Sequence, residues 1–393
     1  MEIEPENYNS LLGSFQSPIR EYSTFGGKMP AKKELKLINN GTYGCIFHPG
    51  ITCKGTPESA KYVTKIQKSK RTIKNEWRVS KKILTINGYA RFFAPILKQC
   101  NVRIQKEESK ELMKCDVFKN ADNTSAQTYV STKVRYVSNM DLRKYLIKSV
   151  PPQRFLLEIW RTHLYLLKAL EKLSSNGIVH YDLKDNNIMF DVKLNEPIII
   201  DFGLSFFKSD LKATDKADNV FFTFADYSYW CIDILACSYI FSVIGHSHAK
   251  TEKVRESQLT EIFNVFMYGT EKPTENDKIV NSAFEYHLLN SREQFLKFKE
   301  RYASYFSAFI GKTWWEMYED LIQYVDTWDN YSVAVIYANL LDKAYFVRPE
   351  VTAKTLEKSR DEMSKYVNGL ESIIYAMPNE RASATDSMNM IPK

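Results

Sequence analysis

The stretch His180–Phe190 reads HYDLKDNNIMF. It places Asp182, Lys184 and Asn187 within six residues, and Asp201-Phe202-Gly203 follows fourteen residues after Asn187. A carboxylate able to accept a hydroxyl proton, an ammonium able to face a phosphate, and oxygens suited to a hard cation therefore share one short span. Taken singly, HYDLKDNN is a polar turn before a strand and DFG a strand-terminal turn. Together, at this spacing, they point to phosphoryl chemistry.

The remaining chain is ordinary in bulk. It has 393 residues, 44% hydrophobic and 26% charged, enough for a large core or two fused lobes. The net charge of +7 is spread along the chain, with a denser run at KIQKSKRTIK, residues 65–74. Such a run reads first as a solvated face and only second as a polyanion site, so nucleic acid is a weak expectation. The six cysteines form no CxxC pair and have no histidine at zinc spacing. Free thiols in a reducing compartment are expected. The start, MEIEPENYNS, is acidic and unlike a signal peptide, and the apolar run Cys231–Gly245 is too short to span a bilayer. Residues 1–34 and 377–393 lack periodicity and read as flexible arms.

From about residue 35 the pattern becomes β-like. ELKLINNGTYGCIF is two short apolar runs around a turn. Gly41 and Gly44 let backbone lie close over phosphate oxygens, although a plain hairpin would use them equally well. YVTKIQ (Tyr62–Gln67) is a further strand carrying Lys65, and TIKNEWRVSKKIL (Thr72–Leu84) has helical periodicity and carries Glu76. Glu76 reads either as the carboxylate that steers Lys65 or as a surface residue beside Lys74 or Lys81. The run Pro151–Gly177 is a long amphipathic helix, with Pro at its start and Gly at its end. It delivers the chain to His180.

Gly-rich turn, strand lysine, helix glutamate, HxDLKxxN and DFG stand in the order of a protein kinase. The chain resembles the eukaryotic-type serine/threonine protein kinases from about Leu35 to Phe207, with weaker matches to about Glu357. GTYGCIFHPGITCKG and DFGLSFF make it most similar to the divergent kinases of large nucleocytoplasmic DNA viruses. The resemblance implies a bilobal α+β fold over 35–376: a small β-rich lobe to about 135, then a mainly helical lobe. It also implies ATP and Mg2+ as cofactors. Asp182 then accepts the substrate hydroxyl proton and Lys184 contacts the transferring phosphoryl group. Asn187 and Asp201 hold magnesium. Lys65, steered by Glu76, holds the α- and β-phosphates. Asn39, Gly41, Gly44 and Ile46 belong to the phosphate-covering turn. Val134, Arg135 and Val137 align with the adenine-pairing hinge, and Asp141 with the ribose contact.

Several positions depart from the family. Asn39 replaces the first glycine of GxGxxG, though Asn tolerates positive φ. Glu76 follows Lys65 by only eleven positions. Tyr181 replaces the Arg of HRD, which in the family pairs with a phosphorylated activation loop. Phosphorylation within Ser205–Thr223 is therefore not expected to control activity. No APE motif closes the activation segment, and two registers remain. In the preferred one, Asp233 in Trp230-Cys231-Ile232-Asp233 takes the Glu role and pairs with Arg348 of VRPEVTAKTL, while Asp329 anchors the catalytic loop. Residues 248–326 are then a charged, helical insertion. In the other, Asp233 is itself the anchor.

The expected function is phosphorylation of protein serine or threonine. DLKxxN favours Ser/Thr acceptors over tyrosine and over small molecules. Asn39, Tyr181 and the missing APE leave a pseudokinase scaffold as an alternative, and kinase-like architecture leaves a small-molecule or lipid phosphotransferase. Residence inside the cell, in host cytoplasm or virion, follows from the viral resemblance as an expectation.

Overall fold

The computed structural model describes residues 35–41, 44–53, 58–68, 71–103, 110–119, 128–274, 276–284, 292–347 and 360–392. The expected N-terminal arm, the polar stretch near Asp122–Gln127 and Arg348 lie outside them. The chain divides after Val137 into two units.

The first unit is a five-stranded antiparallel sheet. Its strands are β1 (Lys36–Gly41), β2 (Gly44–His48), β3 (Tyr62–Lys68), β4 (Ile96–Arg103) and β5 (Thr128–Arg135), in the order β1-β2-β3-β5-β4. β2 shows the period of two that a half-buried strand requires: Cys45 and Phe47 are fully buried, and Gly44, Ile46 and His48 are half-buried. Helix α1 (Arg71–Ile83) buries Ile73, Glu76, Val79, Ser80 and Ile83 on one stripe. Cys45, Phe47 and Ile66 join Val102, Leu112, Val117, Phe118 and Tyr129 in one apolar core.

That core also holds a departure from the cysteine reading. Cys45 is bonded to Cys115 and Cys53 to Cys100, whereas Cys231 and Cys237 are free and buried. The expectation of free thiols is corrected for four of the six. The pairs are 70 and 47 residues apart in sequence and are brought together only by strand pairing. Spacing rules that look for neighbouring cysteines cannot register them. Cross-links of this kind stabilise chiefly by restricting the unfolded chain.

The second unit is mainly helical. A short turn, α2 (Leu142–Lys144), precedes α3 (Phe155–Ser175). The predicted helix 151–177 is present, entered by a 3-10 turn over Pro152–Arg154 and closed at Gly177, whose φ is 70°. Strands β6 (Ile178–Val179), β7 (Ile188–Asp191), β8 (Glu196–Ile200) and β9 (Phe206–Phe207) follow. β7 and β8 form a hairpin, and β9 pairs antiparallel with β6. The longer helices beyond are α4 (Ile232–Tyr239), α5 (Glu256–Tyr268), α6 (Arg292–Ser307), α7 (Trp314–Leu321), α8 (Trp328–Val347) and α9 (Arg360–Ile374). α8 is apolar on nearly every side and lies in the core, as such a helix must. The stretch 248–326 is helical over most of its described length and packs an aromatic face of Phe263, Phe298, Tyr302 and Phe306.

The C-terminal stretch 377–392 corrects the reading of a flexible arm. It forms a turn at Pro378–Glu380 and a helix, α10 (Ala384–Ser387), packed on α3. Ser383 caps that helix by accepting from the Asp386 amide, and the Asp386 carboxylate accepts from Ser383 in return. Asn330 donates to the Ala382 carbonyl and to Ser387.

One buried group ties the fold to pH. His163 on α3 is fully buried, stacked 4.2 Å from Tyr337 and 2.7 Å from the Tyr366 hydroxyl. Burial lowers its pKa from 6.5 to about 3. Below pH 6.5 the unfolded chain therefore binds a proton that the folded chain refuses, and stability falls as pH falls towards 3. By pH 5 the loss is about 2 kcal/mol. Urea unfolding at pH 7 and pH 5 should show that loss in the wild type and most of it removed in His163→Gln. Equal pH slopes in the two proteins would contradict this assignment.

Candidate active site

The stretch that holds Asp182, Lys184 and Asn187 is built between β6 and β7. Because Val179 on β6 pairs with Phe206 on β9, the loop that starts at His180 runs beside the segment that follows Asp201. His180 is fully buried; its Nε2 lies 3.1 Å from the Ile200 carbonyl, and its ring meets Phe202 edge to face at 5.0 Å. The buried Ser205 donates to the His180 carbonyl at 3.0 Å. HYD and DFG are thus welded together one residue either side of the chemistry.

The anchor of the loop is Asp329, at the start of α8. Its carboxylate accepts from the His180 amide at 2.7 Å and the Tyr181 amide at 2.8 Å. Two backbone donors on one buried carboxylate fix the loop as a rigid body. Burial pushes this carboxyl above the usual range, opposed by His180 and the two amides. Asp233, the other candidate anchor, lies at the start of α4 and takes no part in the loop. It forms a fully buried ion pair with Arg381, at 2.9 Å, and accepts from the Trp328 indole at 2.6 Å. Of the two candidates, Asp329 is thus the one bonded to the loop, and Asp233 pairs with Arg381 of the C-terminal stretch; its expected partner, Arg348, lies outside the described residues.

Tyr181 has a left-handed backbone, φ 71°, and a side chain only 2% exposed. Its ring packs on Trp230, Phe206 and Trp328 at 4.8, 5.3 and 6.3 Å. Burial holds its phenol far above the ordinary value, so it stays neutral. Trp230 donates its indole N–H to the Tyr181 carbonyl at 2.8 Å, tying the loop to the segment ahead of α4.

Asp182 carries the densest set of contacts. Lys184 Nζ lies 3.0 Å from its Oδ1 and 2.8 Å from its Oδ2. Asn187 Nδ2 donates to Oδ2 at 3.0 Å and to the Asp182 carbonyl at 2.7 Å. Tyr227 donates its hydroxyl to Oδ1 at 2.8 Å. Sequence reasoning passed over Tyr227, because nothing in FADYSYW distinguishes one ring from the next. It also passed over Arg381, although Ser383 three residues before Asp386 is a capping-box signal that argues against a disordered tail. Asp185, next to Lys184, pairs with Arg143 at 3.1 Å, and burial still pushes its carboxyl upward.

The donor set fits magnesium. Both bonds of the Asn187 amide nitrogen go to Asp182, which leaves its carbonyl oxygen to ligate. Asp201 is exposed, with φ 60°. One carboxylate and one carboxamide suit an ion that keeps waters and shares substrate phosphates. Among the described residues there is no cluster of three or more acidic, Cys or His side chains that would cage a metal unaided.

In the β-rich unit, Lys65 and Glu76 form an ion pair at 3.8 Å, and Glu76 is 5% exposed. The short connection between β3 and α1 does not prevent the pairing. Asn39 is exposed on β1 and faces Ile46, which faces Lys65 across β3. Gly41 pairs with Gly44, and the two residues between them lie outside the description. Gly44 has a structural reason of its own: a Cβ there would stand 2.6 Å from the Ile66 carbonyl oxygen. Val134 and Arg135 end β5, Arg135 donates to the Ala90 carbonyl, and Val137 closes the unit. Asp141 belongs to the second unit and is engaged locally. It caps α2 by accepting from the Lys144 amide at 2.7 Å and pairs with Lys144 Nζ at 2.9 Å.

Comparison with known proteins bears on the same span. Residues 94–227 match the protein kinase domain family. A probable serine/threonine-protein kinase of Dictyostelium discoideum is 39% identical over 74 residues, 19% of this chain and 13% of that protein. A probable serine/threonine-protein kinase of Plasmodium falciparum is 32% identical over 114 residues, 28% of this chain and 22% of that protein. A protein kinase and PP2C-like domain-containing protein of Arabidopsis thaliana is 47% identical over 49 residues, 12% of this chain and 7% of that protein. The matched segments thus span less than a quarter of each relative's length. Residues 94–227, which hold Asp182, Lys184, Asn187 and Asp201, are accordingly similar to a eukaryotic-type protein kinase domain, and the β-rich and mainly helical units fit the bilobal α+β kinase fold.

Proposed function

We propose that this chain transfers the γ-phosphoryl group of ATP to serine or threonine hydroxyls of proteins. The observation that carries this reading is the Asp182 carboxylate, fixed by Lys184 and Asn187 on a loop that Asp329 clamps. When bound, magnesium–ATP supplies the phosphoryl group and part of the charge neutralisation. The chain's own residues position and hold protons. Asp182 orients the acceptor hydroxyl and takes its proton. Lys184 keeps a positive charge beside that carboxylate. Asn187 and Asp201 hold the cation, and Lys65, steadied by Glu76, holds the nucleotide phosphates. The DLKxxN pattern and the names of the Dictyostelium and Plasmodium relatives favour serine and threonine as acceptors. The viral resemblance is part of the proposal, with residence in host cytoplasm or virion. Of these two residences, the disulfides favour the virion over the reducing cytoplasm.

Activity in this reading does not await a phosphorylated activation segment. The position that holds a guanidinium in the family holds a buried, neutral phenol, which cannot offset a dianion. The experiment is transfer from radiolabelled ATP to dephosphorylated casein, followed by phosphoamino-acid analysis. Label should appear on phosphoserine or phosphothreonine. A variant with Ser209, Thr214 and Thr223 all changed to Ala should retain it within about threefold. Ser205 is left intact, because its hydroxyl supports the His180 carbonyl. Transfer to lipid or sugar but never to protein would contradict the acceptor assignment, and abolished transfer in the triple variant would contradict the independence.

A further inference from the structure

We propose that Tyr227 occupies the place on Asp182 that an acceptor hydroxyl must take, so that this phenol competes with the substrate for the base. The inference rests on the kinase reading of Asp182. It begins from a count of lone pairs. A carboxylate offers about four acceptor positions, two on each oxygen. Oδ1 of Asp182 is in contact with Lys184 Nζ at 3.0 Å and the Tyr227 hydroxyl at 2.8 Å. Oδ2 is in contact with Lys184 Nζ at 2.8 Å and Asn187 Nδ2 at 3.0 Å. All four positions are in use, yet a base must lie within hydrogen-bond reach of the proton it removes.

One donor has to leave when an acceptor arrives, and the three are not equal. Lys184 carries a full charge and touches both oxygens. Asn187 is held a second time, by the Asp182 carbonyl at 2.7 Å. Tyr227 is neutral and sits in the non-helical segment ahead of Trp230. Its only contact with the base is one O–H bond, chemically the same bond that a serine or threonine hydroxyl makes. Burial and the adjacent Asp182 carboxylate both push the phenol's pKa up, so it remains a donor throughout the working pH range. Its ring packs edge to face on Trp230 at 5.1 Å and lies 5.4 Å from Tyr229. That packing sets the position of the hydroxyl and would survive its removal. The phenol is a built-in stand-in for substrate. Acceptor affinity is lowered by the fraction of molecules in which the seat is taken.

The test is Tyr227→Phe, which keeps the ring and deletes only the competing hydroxyl. With dephosphorylated casein as acceptor, its KM should fall about two- to tenfold, with kcat and the KM for ATP unchanged. ATP hydrolysis without protein acceptor should rise by a similar factor, because water gains access to the same seat. A fall in kcat without a fall in casein KM would overturn the proposal, since the phenol would then be holding the base in place. Turnover equal in both proteins would also overturn it. If neither protein turns over ATP and neither gains thermal stability from magnesium–ATP, the kinase reading fails first and the proposal falls with it. If the wild type alone is inactive, activity gained by Tyr227→Phe supports the proposal. Should the Phe variant melt early, 3-fluorotyrosine at position 227 of the full chain provides the second measurement. Its 19F resonance should shift on saturation with casein, and an unmoved resonance would overturn the displacement.

Discussion

Asp329→Ala should leave the chain with little or no transfer activity and lower its stability. The two amides that the carboxylate accepts from, His180 and Tyr181, lie in a fully buried part of the loop and have no water to turn to. Leaving both unpaired costs about 2–5 kcal/mol. The larger effect falls on chemistry. Asp182 is one residue beyond the second amide, so a loop released at Tyr181 lets the base drift. A displacement of about 1 Å at a reacting group lowers rate on the order of 100-fold. Steady-state transfer measured well below the melting temperature should therefore show a kcat loss of at least that size, with the KM for ATP little changed. Asp329→Asn offers no full substitute, because its amide nitrogen would face one of the two N–H donors. Wild-type kcat in a folded Asp329→Ala protein would contradict the anchor assignment.

Arg381→Ala should strongly destabilise the helical unit. Its guanidinium and the Asp233 carboxylate are 1% and 0% exposed, with 2.9 Å between them. Removing the cation leaves a carboxylate in the core with the Trp328 indole and the neutral Cys231 thiol as donors and no counter-charge. Breaking a buried pair in this way costs about 3–5 kcal/mol, on the order of 10 °C in melting temperature for a unit of this size. Because the cost lies in the orphaned charge, Asp233→Leu combined with Arg381→Met should recover most of it. Thermal melts of the single and double variants decide the point. A double variant no more stable than Arg381→Ala alone would show that packing, not charge, fixes the C-terminal stretch.

The cluster around Asp182 was legible because its contacts are local. Asp182, Lys184 and Asn187 lie on one short loop, and consecutive residues are enough to place them together. Lys65 with Glu76 was half legible: strand and helix periodicity located both residues, and only the fold brings them to 3.8 Å. The choice between Asp233 and Asp329 could not be made from sequence. Both begin apolar helices, and the deciding bonds join residues 149 and 148 positions apart. The disulfides were misread for the same reason, since Cys45 and Cys115 meet only through the folding of the sheet and the segment around residue 115. The C-terminal stretch was misread through composition. Its polar residues are capping groups and one buried arginine, which a count of residue types records as disorder. Gly44 was assigned to phosphate access, yet its lack of a side chain is already required by the β3 backbone.

Asp182 is the group proposed to take the acceptor's proton. Its most direct measurement is transfer from radiolabelled ATP to casein by wild type and Asp182→Asn side by side, with both shown to be folded by thermal melting. The carboxamide keeps the size of the side chain and loses the base. Label is expected in the wild type and a loss of at least about 100-fold in the variant, with magnesium–ATP still raising the melting temperature of both. Equal label in the two proteins would contradict it.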